Sequence, residues 1–315
     1  MAEAFHSARK RIHALGRDHR SGAAEIAERA AAALLDFIRR SQRPEARQLA
    51  ILAEATLRAQ PAMAPVINLA NRVACAAEQG VSPRELQKAL APKLRGFRRA
   101  LRHSNRKIAR QFARRLRPRA VVLTYSYSST VLAALLAARG KLARVVCSEG
   151  RPQLEGRRLA EKLARAGIPV VLVADAALPA RVREADAVVV GADAILPGPA
   201  AGGAGAYVNK IGTRVLQDAA RAARKPFYVL ADTTKILPSR MPGYRACGMA
   251  RLYRPEASGE EKPAAELWRG APRGVRVENR YFERIPLRRE VRLLTERGPL
   301  TAAALRRWVG QSPRR

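Results

Sequence analysis

Residues 188–212 read VVVGADAILPGPAAGGAGAYVNKIG. Three consecutive valines predict a buried strand, and Gly191-Ala192-Asp193 falls where that strand ends. A loop of small residues follows, and Asn209-Lys210-Ile211-Gly212 then reads as the opening of a helix. In an open α/β sheet ligands bind at the carboxyl ends of strands, and helix N-termini with free backbone N–H groups favour phosphate. A carboxylate, an ammonium and a carboxamide from Asp193, Lys210 and Asn209 therefore predict a small phosphorylated ligand at this strand end.

The surrounding sequence repeats the same grammar. Short β-branched runs at 120–124, 144–148, 169–174, 187–191 and 227–231 predict strands. Between them, 130–139, 156–166, 178–184 and 206–224 read as helices. Such alternation predicts βαβ crossovers and a mostly parallel sheet covered on both faces. Further on, 276–282 suggests another strand, 287–296 a short helix, and the Pro-, Gly- and charge-rich 239–272 an extended loop or flap.

Upstream the period changes to that of helices. Ser21-Gly22 precedes AAEIAERAAAALLDFIRR, with apolar residues at helical spacing; 46–60 reads as a second helix, and Pro65 opens a third that Gly80 closes. Ser82-Pro83-Arg84-Glu85 combines proline in a first turn with the acid of a capping box, and starts a long basic helix over 83–116. The expected organisation is an all-helical N-terminal domain over 1–117 and an α/β domain with a mostly parallel sheet over 118–315.

Composition narrows the function classes. A chain of 315 residues, 48% hydrophobic but only 5% aromatic, builds its core from Ala, Val, Leu and Ile. MAEAFHSARKRIHAL carries charges where a secretory segment would be apolar, and the long uncharged run 120–138 is broken by the polar 124–130. The expectation is a cytoplasmic protein with no membrane partner. Cys75, Cys147 and Cys247 are far apart, and His6, His13, His19 and His103 all precede the α/β region, so no metal site is expected. Cys147, within Val145-Val146-Cys147, reads as a core thiol. No GxGxxG, P-loop, GxSxG or HExxH pattern appears, which argues against a nicotinamide enzyme; no cofactor is expected. The net charge of +34, from 60 basic and 26 acidic residues, fits weak RNA binding through phosphate neutralisation. It fits equally an Arg- and Ala-rich composition with no nucleic-acid role.

Polar groups cluster after several strands: Thr124 to Ser129 with Ser126, Ser128 and Ser129; Glu149-Gly150-Arg151-Pro152 and Glu155-Gly156; Asp193 with Asn209 and Lys210; and Asp232-Thr233-Thr234-Lys235. Hydroxyls, backbone N–H groups and the cations Arg151, Lys210 and Lys235 are what a phosphate site needs.

These segments, with Asn68-Leu69-Ala70-Asn71-Arg72, Gly167-Ile168-Pro169-Val170, Lys225-Pro226-Phe227 and Val277-Glu278-Asn279-Arg280-Tyr281-Phe282, resemble one family. It unites the alpha, beta and delta subunits of eukaryotic translation initiation factor two-B with isomerases of ribose 1,5-bisphosphate and 5-methylthioribose 1-phosphate. The resemblance implies a helical N-terminal domain, a Rossmann-like C-terminal domain and a homodimer formed through the latter. It places Asp193 on the isomerases' catalytic aspartate, Asn209 and Lys210 on substrate contacts, and Arg151 and Ser128 on the same rim. Ser21-Gly22-Ala23 matches a loop that closes over a substrate phosphate.

One departure matters chemically. The isomerases carry a cysteine where this chain has Ser126. A thiol titrates near 8.5 and can be tuned toward neutrality, whereas an alcohol needs a neighbouring base. Three readings follow. The first is a protein that binds a phosphorylated sugar or nucleotide without fast turnover. The second is an aldose–ketose isomerase using Asp193 with Ser126, and the third a regulatory or RNA-associated subunit of the translation machinery.

Overall fold

The computed structural model describes residues 2–18, 21–41, 43–61, 63–79, 81–198, 205–237, 261–301 and 304–305. Gly80, the glycine run 202–204, Cys247 and most of the expected flap (239–260) lie outside these residues. The chain divides into two compact units, Met1–His103 with Thr234–Pro255, and Ser104–Thr233 with Glu256–Arg315.

The first unit is helical, as its period predicts. It holds α1 (Ala2–Leu15), α2 (Ala23–Arg40), α3 (Ala46–Ala59), α4 (Ala64–Ala77) and the start of α5 (Pro83–Ala113). The long run of α2 alanines lets neighbouring helices approach closely, while Ile26, Leu34, Phe37 and Ile38 supply its buried bulk. Ends are capped locally: Glu45 and Gln48 form a capping box on α3, and Ser82 exchanges hydrogen bonds with Glu85 before α5. The Asn68 carboxamide donates to the carbonyls of Thr234 (2.6 Å) and Ile236 (2.9 Å), stitching that returning segment to α4.

The second unit is built on a seven-stranded sheet with β1 (Ala120–Thr124), β2 (Leu142–Ser148), β3 (Val170–Val173), β4 (Ala187–Gly191), β7 (Phe227–Leu230), β9 (Val291–Thr295) and β10 (Gly298–Leu300). The order is β10-β9-β7-β4-β1-β2-β3; β10 alone pairs antiparallel. From β1 the chain steps outward to β3, returns to β4 beside β1, then steps outward the other way. The strand order reverses between the carboxyl ends of β1 and β4, the kind of position at which open α/β sheets bind ligands. Ile108 and Phe112 at the end of α5, Val131 and Leu135 of α6 (Ser129–Ala137), and Leu159 and Leu163 of α7 (Glu155–Arg165) form one cluster with the strands' Val122, Val145 and Val189. Cys147 is fully buried, and burial pushes its thiol up to about 12.

Four expectations need correction. The stretch 206–224 is not one helix: β6 (Ala206–Lys210) precedes α8 (Thr213–Ala222). Tyr207 and Val208 are claimed by antiparallel partners on both sides, β5 (Ala194–Leu196) and β8 (Phe282–Pro286). Gly212, at φ +99°, breaks the chain before α8. Asn209 and Lys210 thus end a strand rather than open a helix, and what reads as a small-residue loop begins and ends in the strands of a hairpin. The strand expected at 276–282 lies later, at β8. The helix expected at 287–296 is instead strand β9, because Val291 and Leu293 face inward around exposed Arg292 and pair parallel with β7. Finally, 179–184 winds as a 3-10 rather than an α-helix.

Candidate functional site

The site grows from three turns at the strand ends. After β1, Tyr125 is buried and its hydroxyl donates to the Ile211 carbonyl at 2.7 Å. Burial, with help from Asp175 and Glu155, pushes that phenol above its ordinary range, so it remains a neutral donor. Ser126 follows at φ +63°, a left-handed conformation that non-glycine residues adopt at a cost. Ser128 caps α6, accepting from the Val131 N–H, and Ser129 is the first residue of that helix. A Cβ on Gly191 would come within 2.6 Å of Ser128 Oγ, so only glycine lets the β1 turn lie against the end of β4.

After β2 the turn is equally constrained. Asp175 accepts from the N–H groups of Gly150 (2.9 Å) and Arg151 (2.7 Å). Gly150 (φ +76°) and Leu154 (φ +55°) are left-handed, and Arg151-Pro152 is cis. This path delivers Glu155 to the first position of α7. Its Oε1 accepts from Ser126 Oγ at 2.8 Å and meets Lys210 Nζ at 3.0 Å.

Lys210 comes from the end of β6, with only 5% of its side chain exposed. Its ammonium lies 4.7 Å from the centroid of the Tyr281 ring, a favourable cation–π placement. Tyr281 is held in turn: its hydroxyl accepts from Gln153 at 2.6 Å and donates to Glu266. Burial and the Glu266 bond raise this phenol above its ordinary range. Asn209 donates to Thr213 Oγ1 at 3.0 Å, and that hydroxyl donates to the Lys210 carbonyl at 2.6 Å. Asp193 follows the end of β4 by two residues, and its backbone N–H donates to the carbonyl of Val208 at 2.8 Å, two residues before Lys210.

Three buried oxygens in this region, Thr124 Oγ1, Ser148 Oγ and Glu155 Oε2, have no hydrogen-bond partner among the described residues. Buried polar atoms are otherwise almost always paired. Beside the cluster opens a cleft of about 290 Å³ whose walls include Tyr125, Asp175, Pro179, Gly212 and Val215. It shares Tyr125 with the turn that carries Ser126, but Ser126, Glu155, Lys210 and Asp193 are not among its walls.

Ser126 and Lys210 therefore meet on one carboxylate, with Ser128 and the backbone of Asp193 on the adjoining turns. Arg151 is exposed and contributes its backbone N–H, not its guanidinium, to the described contacts. Ser21, Gly22, Ala23 and Lys235 belong to the other unit. There Ser21 donates through its N–H and hydroxyl to Asp18, at 2.9 and 2.8 Å, Gly22 caps α2 and Ala23 is its buried first residue. Lys235 is buried in a 3-10 turn. Sequence reasoning noticed Glu155 as part of a turn motif but not as the partner of Lys210, and it missed Tyr281, Glu266 and Gln153. The Glu155-Gly156 pair was the available signal for the first; no local signal marks the others.

A family model described as Initiation factor 2 subunit family matches residues 19–299. The chain is 34% identical over 296 residues to a ribose 1,5-bisphosphate isomerase of Haloterrigena turkmenica, covering 91% of this chain and 88% of that protein. It is 33% identical over 225 residues to a ribose 1,5-bisphosphate isomerase of Archaeoglobus fulgidus, covering 70% and 69%. Among solved structures, the translation initiation factor eIF-2B of Pyrococcus horikoshii superposes with a TM-score of 0.74 at 28% identity, over 93% of this chain and 96% of that one. A 5-methylthioribose 1-phosphate isomerase from the same organism shares the fold, with a TM-score of 0.69 at 21% identity over 98% of this chain and 88% of that one.

Proposed function

Because this chain belongs to the initiation factor 2 subunit family, we propose that its α/β unit binds a phosphorylated sugar at the carboxyl ends of β1, β2 and β4. Ser126 then stands where the family's isomerases carry a cysteine. The observation that carries this reading is the meeting of Ser126, Glu155 and buried Lys210 at the point where strand order reverses. Similarity to ribose 1,5-bisphosphate isomerases over most of the chain supports a ribose bisphosphate as the ligand class. In this reading Asn209 and Lys210, with Ser128, Ser129 and Arg151 on the rim, contact the ligand.

A second reading, turnover of that sugar as an aldose–ketose isomerase with Asp193 as acid or base, gains from one observation. The Ser126 hydroxyl already donates to a carboxylate, Glu155, which is the neighbouring base that an alcohol requires. The proposal takes the protein to be cytoplasmic and homodimeric through residues 118–315; exposed Ile211 and Val215 near the start of α8 are apolar surface available to a second copy. Exposed Lys93, Arg95, Arg99, Arg106 and Arg110 along α5 support weak RNA association as a subsidiary property. Among the described residues no helix is long and apolar enough to cross a membrane.

The test is thermal. Ribose 1,5-bisphosphate at 100 times its Kd should stabilise the native state by about 2.7 kcal/mol through mass action. Ribose and inorganic phosphate at the same concentration should give no comparable rise in Tm. An equal response to phosphate alone would count against the reading. So would no response to ribose 1,5-bisphosphate, 5-methylthioribose 1-phosphate or any nucleoside monophosphate.

A further inference from the structure

We propose that Glu155 is the proton acceptor for Ser126, and that the two side chains together relay a proton between a bound sugar hydroxyl and the carboxylate. The proposal rests on the second reading above and names the residue that replaces thiol chemistry in this chain.

The geometry is specific to a relay. Ser126 Oγ donates to Glu155 Oε1 at 2.8 Å, within the range required of a base and its partner. The backbone on both sides is held for this contact. Ser126 adopts the left-handed region, as does Leu154 immediately before Glu155. Glycine is required on both flanks of the carboxylate. A Cβ at Gly150 would come within 3.0 Å of Glu155 Cδ, and one at Gly156 within 1.8 Å of the Ser148 carbonyl oxygen. No histidine lies beyond His103, so none in the second unit competes for the role.

Lys210 completes the device. Its ammonium pairs with the same Oε1 at 3.0 Å, and the Tyr281 ring holds it independently at 4.7 Å. When Glu155 takes up a proton and loses its charge, the ring keeps the ammonium in place beside the developing anion. The second oxygen, Oε2, is buried without a hydrogen-bond partner among the described residues.

The step balances without a co-reactant. The sugar O–H bond breaks and its proton bonds to Ser126 Oγ, while the proton already on Oγ passes to Glu155 Oε1. The sugar oxygen gains one negative charge, the carboxylate becomes a neutral acid, and Ser126 is unchanged. The reverse transfer restores Glu155 when the product hydroxyl is reprotonated.

The test measures turnover of ribose 1,5-bisphosphate by the full chain. Glu155→Gln should lower kcat by about 100- to 1000-fold with KM within about threefold. Glu155→Asp should recover part of the loss, which separates proton transfer from folding. In a Ser126→Cys background the thiol gives up its proton far more readily than the alcohol, so adding Glu155→Gln should cost less than about tenfold. Wild-type kcat in Glu155→Gln, or an equal loss in the cysteine background, would overturn the relay. If unmodified protein is stabilised by the sugar but does not turn it over, the relay is wrong and the binding reading stands. If neither occurs, both fail.

Discussion

Gly156→Ala should cost about 3 kcal/mol or more of folding stability, the upper range for overpacking a rigid site. The added methyl would lie 1.8 Å from the Ser148 carbonyl oxygen and 2.9 Å from the carbonyl carbons of Ser148 and Glu149. All three are backbone atoms, so no side-chain rotation relieves the clash. The Gly156 N–H also donates to the Glu149 carbonyl at 2.9 Å, which fixes α7 against the end of β2. Moving the helix away would break that bond and carry Glu155 off Lys210 and Ser126. Gly140→Ala is the matched control, because nothing lies within 4 Å of its added methyl. It should be neutral or stabilising by up to about 1 kcal/mol through the unfolded chain. Urea unfolding of both variants checks this; similar midpoints for the two would mean that the turn is not packed as described.

Lys210→Met should cost about 3–5 kcal/mol, the penalty for leaving one partner of a buried ion pair alone. An exposed pair would lose less than about 1 kcal/mol, so the magnitude decides which kind of pair this is. With side-chain exposures of 5% for Lys210 and 16% for Glu155, water replaces little of the lost interaction. Methionine keeps the unbranched stem and a favourable contact with the Tyr281 ring, so the loss reports the charge. The double variant Lys210→Met with Glu155→Gln removes both charges and should recover most of the stability. A coupling of about 2 kcal/mol or more is expected from the four midpoints. Additive losses would place the two groups in water rather than in a shared buried pair.

Much of this fold is legible where burial and local preference agree. AVVLT, AVVVG and FYVL are β-branched or aromatic runs in the middle of the sheet, and their strands fall at or within a residue of the expected bounds. Legibility fails where distant partners decide. Ala206 to Lys210 has no strand signature strong enough to outweigh the amphipathic helix after it, and it becomes a strand because β5 and β8 flank it. The stretch leading into β9 is rich in Arg, Glu and Leu, all good helix formers, yet the edge of β7 recruits it. The same logic divides the site. Ser126 and Asp193 are found by their positions after strands, a local feature, whereas Lys210, expected to open a helix, ends β6. The pairing of Glu155 with Lys210 appears only when the fold brings the ends of β2 and β6, strands of two different sheets, together, and Tyr281 arrives from the far end of the chain.

Hydrogen–deuterium exchange with saturating ribose 1,5-bisphosphate tests the central claim most directly. Slowed exchange is expected in peptides covering 124–129, 149–156 and 207–213, the turns that carry Ser126, Glu155 and Lys210. Bound sugar with no protection in these turns, or protection confined to other parts of the α/β unit, would contradict a phosphosugar site at these strand ends.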